Sequence, residues 1–332
     1  MTGILRKRLP LYLFTGWVAI TINFVVPRLM PGNPAELLLS RLRTQGTVPL
    51  ANLDAIEAEF GLSTHAGWLS QYWSYLVHLA HFQLGLSLTY FPEPVSQVIG
   101  NTLPYTLVLV TLATLLSWLI GIVLGVLVGW RRGSRLDSVL IPTSTFFSAI
   151  PFFLVGLFLV WTLGVILGWM PINGAYGAGA RPGLNGPFIW SWLQHAALPL
   201  LTIVASSFVS HMLHMRNMMV TTLGEDYVRL AVAKGLRERR IKYSYAGRNA
   251  VLPSIASFAI SLGFVVGGSV LVETVFSYPG VGYALYEAVS NEDYALMQGI
   301  FLIIALAVLV ANLCADLLYA VLDPRSRQQL ST

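Results

Sequence analysis

Six windows of the chain run for about 20 residues or more with no Asp, Glu, Lys or Arg, and this pattern limits the fold more than any other feature. About 20 apolar residues cross the hydrocarbon core of a bilayer as a helix. The windows are Leu9 to Pro27, Thr102 to Trp130, Ser138 to Ala180, Pro182 to Met215, Asn249 to Val272 and Tyr294 to Ala315. The third reads as a helix ending near Gly168, the fourth as a helix beginning near His195, and the last continues past Asp316 to Leu322. Such long runs exclude an outer-membrane barrel, whose strands alternate over about 10 residues. Only 11% of the 332 residues are charged, against roughly 25% in a soluble domain. Aromatics at 12% exclude a disordered chain, which is poor in them. The fold class is an all-α integral membrane protein with six transmembrane helices.

Charge placement sets the orientation, because Lys and Arg collect beside cytoplasmic helix ends. With the N-terminus inside, sixteen of the 20 Lys and Arg fall in cytoplasmic segments, and only Arg28, Arg41, Arg43 and Arg181 lie outside. The net charge of +5 therefore reports topology rather than nucleic-acid binding, and both termini are expected in the cytoplasm. Arg6, Lys7 and Arg8 before the first apolar window resemble a signal peptide, but no small-x-small cleavage site follows, so the segment reads as a retained helix. The chain divides into residues 1–30 (tip and first helix), an external segment 31–101, a membrane core 102–322 with a cytoplasmic loop 216–248, and a cytoplasmic tail 323–332. In the external segment, Asn52 to Phe60 and Trp68 to Phe82 read as short amphipathic helices. Trp169 to Trp192, rich in Gly, Pro and Trp, reads as an irregular interfacial loop.

Several chemistries are excluded. The lone Cys314 allows no internal disulfide and no cysteine metal cluster. None of Lys7, Lys234 and Lys242 is followed by Ser or Thr, so no phosphate-cradling GxxxxGK[ST] loop exists. HExxH and GxSxG are also missing, and no catalytic, cofactor or metal residue is expected. His211 and His214 with their neighbouring methionines are the nearest approach to a metal site, and packing explains them better. Glu273 and Asp316 lie at or near membrane depth, where an acid is costly and a functional candidate, although both sit toward helix ends. Gly121, Gly125, Gly129, Gly263, Gly267 and Gly268 are expected to let helices approach closely.

The loop from Arg216 to Arg248 is the most informative stretch. Glu225 and Asp226 suit the positive end of a short helix, and Val228, Leu230, Ala231 and Ala233 follow at near-helical spacing. Gly235 ends the helix, since glycine readily takes the left-handed conformation of a C-cap. A second, basic helix is expected from Arg237 to about Arg248. An apolar face on a short helix between charged flanks describes a loop docked on something.

The run Glu225-Asp226-Tyr227-Val228-Arg229-Leu230-Ala231-Val232-Ala233-Lys234-Gly235-Leu236 resembles the EAA loop of bacterial ABC-importer permeases of the dipeptide/oligopeptide/nickel family. Arg248 to Pro253, Glu273 to Tyr283, Pro31 to Ala35, Leu84 to Ser87, Arg131 to Ser134 and Leu322 to Arg325 are similar to further family motifs, in order along nearly the whole chain. Tyr245, where a histidine is common, and Arg28-Leu29-Met30 depart from the pattern.

The resemblance implies the type I ABC-importer permease fold in a bacterial inner membrane. It implies as partners a second homologous permease, two ABC ATPase subunits that bind the ATP and Mg, an external solute-binding protein and the lipid bilayer, with no cofactor in this chain. Peptides are the commonest cargo of such systems, and nickel, glutathione or oligosaccharides are alternatives. It assigns ATPase coupling to Glu225, Asp226, Tyr227, Val228, Arg229, Ala231, Ala233, Lys234, Gly235 and Leu236. It assigns an external signature turn to Glu273, Phe276, Ser277, Pro279, Gly280 and Gly282, facing the binding protein, with the pathway lined by the second to fifth helices. The competing class is a stand-alone secondary carrier, against which stand the loop signature and the lack of paired central charges.

Overall fold

Apolar side chains recur along this chain at helical spacing, and the resulting fold is mostly helical in its described part. The computed structural model describes residues 2–29, 67–263 and 270–322. In chain order the helices are α1 (Thr2–Leu29), α2 (Trp68–Ala80), α3 (Val95–Trp130), α4 (Arg135–Ser148) and α5 (Phe152–Leu159), which runs on as a π-helix, Val160–Ile166. Then come α6 (Gly186–Leu223), α7 (Asp226–Ala233) and α8 (Glu238–Arg240), a π-helical segment Ile241–Gly247, and α9 (Arg248–Ala250). The described chain closes with α10 (Leu252–Gly263), α11 (Val270–Val275), α12 (Val281–Ser290) and α13 (Tyr294–Leu322). The expected helix at Asn52 to Phe60 and the motifs at Pro31 to Ala35 and beyond Leu322 lie outside the described residues.

Among the described residues four helices are long and apolar enough to cross a membrane, or up to five if one bent pair counts as a single span. The bent pair is α4 with α5 and its π-helical extension, broken by 91°. The sequence suggests a single helix there, ending near Gly168. The break falls at Pro151, which supplies no N–H and stands as the N-cap of α5. The stretch from Asn249 to Val272, expected as one crossing, holds the end of α9, then α10 and the start of α11, with 264–269 outside the described residues.

Two helices begin earlier than their expected starts, at Thr102 for α3 and near His195 for α6. α3 starts at Val95 because Val95, Val98 and Ile99 pack into a core with Val281, Ala284 and Leu285 of α12 and Leu296, Met297 and Ile300 of α13. α6 starts at Gly186 because the Asn185 side chain accepts the Phe188 N–H at 2.9 Å and Pro187 occupies its first turn, a start signal in its own right. That removes Gly186 to Trp192 from the expected irregular loop. The basic helix expected from Arg237 exists as α8, a π-helical segment and α9, reaching Ala250.

α3 and α6 form the most extensive helix pair, and the reason is a glycine seam. A Cβ at Gly121 would stand 2.9 Å from the Met212 backbone nitrogen, at Gly125 2.6 Å from the Met215 Cβ and at Gly129 2.6 Å from the Met219 Cβ. Glycine at every fourth position therefore presents one bare stripe on which the α6 backbone lies. Met212, Met215 and Met219 are buried in this contact, as the packing interpretation of these residues expects. Overpacking a fitted interface costs about 1–3 kcal/mol or more, so Gly125→Leu is expected to lower the melting temperature of the purified protein and its level in the membrane. Gly133→Ala, whose Cβ would meet nothing within 4 Å but whose φ is +75°, should perturb both less.

Candidate functional site

Two constellations stand at opposite ends of the α3–α6 pair. At the basic end α7 lies against the last turns of both long helices. Val228 and Ala231 are buried, and they pack with Ile241, Trp130, Leu223, Leu236 and Tyr245. The Trp130 indole N–H donates to Glu238 Oε1 at 2.6 Å, joining α3 to α8. Glu225 is the N-cap of α7 and Asp226 lies in its first turn, where negative charge meets the positive helix end. Arg229 and Asp226 approach to 3.7 Å while both are exposed, a pair that contributes little.

The far end of α7 closes as a Schellman turn. The Gly235 N–H donates to Val232 O at 2.9 Å and the Leu236 N–H to Ala231 O at 3.3 Å, with Gly235 at φ +69°. This is the left-handed residue that favours glycine. Tyr227, Leu230 and Val232 face away from the bundle and are exposed. Ala233 and Lys234 are exposed as well. The short helix is thus held to the bundle by one face and leaves aromatic and aliphatic groups on the other.

At the far end the chain is organised by one carboxylate. Glu273, in the first turn of α11, is fully buried. Its Oε1 accepts the Thr106 hydroxyl at 3.0 Å, and its Oε2 accepts the N–H groups of Gly282 at 2.7 Å and Tyr283 at 3.2 Å. Thr106 Oγ1 in turn accepts the Val281 N–H at 2.8 Å. The first three amides of α12, which have no partner within their own helix, are therefore capped by side chains of α3 and α11. A Cβ on Gly280 would overlap the Glu273 carboxylate and the Thr106 hydroxyl, and one on Gly282 would stand 2.8 Å from the Val270 Cα. These two glycines are set by close approach, not by backbone angle.

The other signature residues fill the space behind. Phe276 and Tyr278 are buried in a core with Leu109, Ala196 and Leu198. Trp192 Nε1 donates to the Tyr278 hydroxyl at 2.8 Å, and the Gly174 N–H donates to Phe276 O at 3.0 Å. Ser277 adopts φ +44° and is exposed, and Pro279 is half-buried. The turn is mostly an internal brace, and Ser277 with the edge of Pro279 is what it offers to the outside.

Two further polar centres carry the fold and are not singled out by the sequence reading. Asp293 is fully buried. It accepts the Leu296 N–H at 3.0 Å as a cap of α13, the Ser87 hydroxyl at 2.5 Å and the Thr89 N–H at 2.9 Å. Asp137 receives Arg216 in a two-point contact, Nε at 3.1 Å and Nη2 at 2.8 Å, and the Gly133 N–H at 2.9 Å. The legible signal for Asp137 is Ser134, which caps α4 three residues earlier in the spacing of a capping box. For Asp293 the signal is an acid directly before an apolar helix.

Among the described residues no group of three or more His, Cys, Asp or Glu gathers as a metal centre would require. His211 lies on the glycine seam, its Cβ facing Gly121, and His214 Nε2 is buried with no hydrogen-bond partner among the described residues. Glu273 stands at the far end from the α7 site. Thr106 and Trp130 both belong to α3, which at 1.5 Å per residue puts them about 36 Å apart along the helix.

Residues 121–328 match the family described as the binding-protein-dependent transport system inner membrane component. The chain belongs to that family. Its matched region takes in the glycine seam, α7, the Glu273 turn and α13. Among curated relatives it is similar to the oligopeptide transport system permease protein of Bacillus subtilis, with 34% identity over 310 residues, 93% of this chain and 94% of the relative. It is also similar to the di/tripeptide transport system permease protein of Pseudomonas aeruginosa, with 32% identity covering 99% of this chain and 100% of the relative. A probable peptide ABC transporter permease protein of Sinorhizobium fredii is 31% identical, with 98% of each chain covered. The chain is a multi-pass, helical inner-membrane permease, and family membership places it in a transport complex.

Removing a buried acceptor leaves its donors unsatisfied at about 1–3 kcal/mol each. Glu273→Ala should therefore destabilise the purified permease strongly, with Gly280→Ala close behind, in a thermal-unfolding assay. Glu273→Gln, which keeps one acceptor oxygen, should fall between Glu273→Ala and the wild type. Equal melting temperatures for Glu273→Ala and wild type would contradict the capping role.

Proposed function

We propose that this chain is one of two permease subunits of an ATP-driven peptide importer. The observation that carries the reading is the match, over more than nine-tenths of the chain, to relatives whose names state oligopeptide or di/tripeptide transport. In this reading the chain crosses the membrane six times with both termini in the cytoplasm. The second, homologous permease completes the pathway. An external binding protein delivers the peptide. Two ATPase subunits hold the ATP and Mg, and this chain holds no cofactor. The broken α4–α5 pair and the α10–α11 pair are the third and fifth crossings.

The residues of α7 suit a force-transmitting contact. Tyr227, Leu230 and Val232 would enter a groove on an ATPase, while Val228 and Ala231 hold the helix to Trp130 of α3 and Leu223 of α6. Movement of the ATPase then acts on both long helices together, and through them on the glycine seam and the Glu273 turn. Arg237, Arg239 and Arg240 are exposed and would face solvent or anionic headgroups, a contribution of about 1 kcal/mol each near such a surface.

Purification from native membranes in mild detergent, followed by mass spectrometry, tests the assembly. A second permease and P-loop ATPases should accompany the chain. Its recovery alone, under conditions in which known complexes survive, would favour a stand-alone carrier. A Gly235→Val variant tests the coupling directly. A branched side chain in the left-handed region costs about 1–2 kcal/mol and misdirects Leu236, so peptide uptake should fall sharply at normal membrane levels. Undiminished uptake would remove the docking role.

A further inference from the structure

We infer that the break between α4 and α5 is a mid-membrane contact for the backbone of the transported peptide, an assignment that rests on the peptide-importer reading. The break lies against Ile203, Ser206 and Ser207, at the midpoint of the 38-residue α6. Together these segments line a cavity of about 390 Å³, within the size range of small-ligand sites. Its wall includes Ser148, Ile150 and Pro151 and no charged side chain.

The backbone at this depth is irregular. Among the described residues no hydrogen bond reaches the Ala149 and Ile150 carbonyls, and none leaves the Phe152 and Phe153 N–H groups, whereas the Leu154 N–H donates to Pro151 O at 2.9 Å. Irregular backbone facing lipid does not persist at membrane depth. It survives where it is buried in protein or lines a water-filled cavity. The hydroxyls agree with the second case. Ser148 Oγ donates to Thr145 O at 2.8 Å and Ser206 Oγ to Thr202 O at 2.7 Å, which leaves both oxygens able to accept.

The wall therefore offers the unpaired carbonyls of Ala149 and Ile150, the unpaired Phe152 N–H and hydroxyl acceptors. An extended peptide carries the complementary set on every residue, whatever its side chains. A transition-metal ion such as nickel would want imidazole, thiolate or carboxylate ligands, and the wall has no His, Cys, Asp or Glu. Recognition through backbone groups alone suits a carrier that must pass many sequences, and few modest hydrogen bonds suit release onward.

Cysteine accessibility in the assembled transporter tests this. The single native cysteine, Cys314, is exposed and is first removed as Cys314→Ser. Ser207→Cys is then introduced, with Ala149→Cys as a second reporter in a separate protein. Proteoliposomes holding the full complex, binding protein and ATP are treated with a membrane-impermeant thiosulfonate, with and without a tryptic digest of casein. The thiol is expected to react with the water-soluble reagent, and the digest, unlike intact casein, should slow that reaction several-fold. Reaction only with a lipid-soluble maleimide, no reaction with either reagent, or reaction that the digest leaves unchanged would each overturn the assignment. ATP-dependent uptake of the digest is followed in parallel. Uptake with an unprotected thiol rejects this site and leaves the importer reading standing. Absence of uptake by the Cys314→Ser parent rejects the peptide reading, and the cargo assigned to the break with it.

Discussion

The far half of this permease depends on a buried carboxylate placed at the start of a helix that is not its own. Any helix begins with amides that its own carbonyls do not reach, and in apolar surroundings such groups are costly to leave unpaired. Glu273 takes two of them from α12 and Thr106 takes a third. The negative charge also meets the positive end of the helix dipole. Because three helices meet at one carboxylate, there is no room for a Cβ at Gly280 or Gly282. The chain then turns back so that Phe276 and Tyr278 plug the space beside α3 and α6. Asp293 repeats the device at α13, pulling in the Ser87 and Thr89 segment. An acid near membrane depth is thus used here to complete backbone hydrogen bonding.

The same two helices carry these ends. α3 and α6 touch along a stripe of glycine backbone, which couples them more tightly than a seam of flexible side chains would. Arg216 of α6 is tied to Asp137 of α4 close to the Gly129 contact, so α4 is anchored to the pair. α7 grips both long helices at the basic end. α7 is thereby joined to the Glu273 turn through one closely packed pair of helices, and the α4–α5 break lies beside that pair.

Much of this is legible in the sequence where the cause is local. The limits of α7 follow from Glu225, Asp226 and Gly235, and the close approach at Gly121, Gly125 and Gly129 follows from their spacing. The α4–α5 break is harder to read. Pro104, Pro142, Pro151 and Pro199 all lie in apolar windows, yet helices run through Pro104, Pro142 and Pro199 and stop at Pro151. Which proline ends a helix is decided by the packing of both flanks, and the sequence does not display that. The bond from Ser87 to Asp293 joins residues 206 positions apart, beyond the reach of any local pattern. Glu273 stands out as a buried acid from its surroundings alone, but its capping role needs Thr106 and the α12 amides in place.

Residue-resolved hydrogen–deuterium exchange of the purified permease tests the capping carboxylate most directly. First-turn amides of a helix ordinarily exchange fast, for lack of partners. The account predicts slow exchange at Val281, Gly282 and Tyr283, comparable with amides inside α12, and selective acceleration of Val281 in Thr106→Val. Exchange of all three at the rate of an exposed loop in the native protein would contradict it.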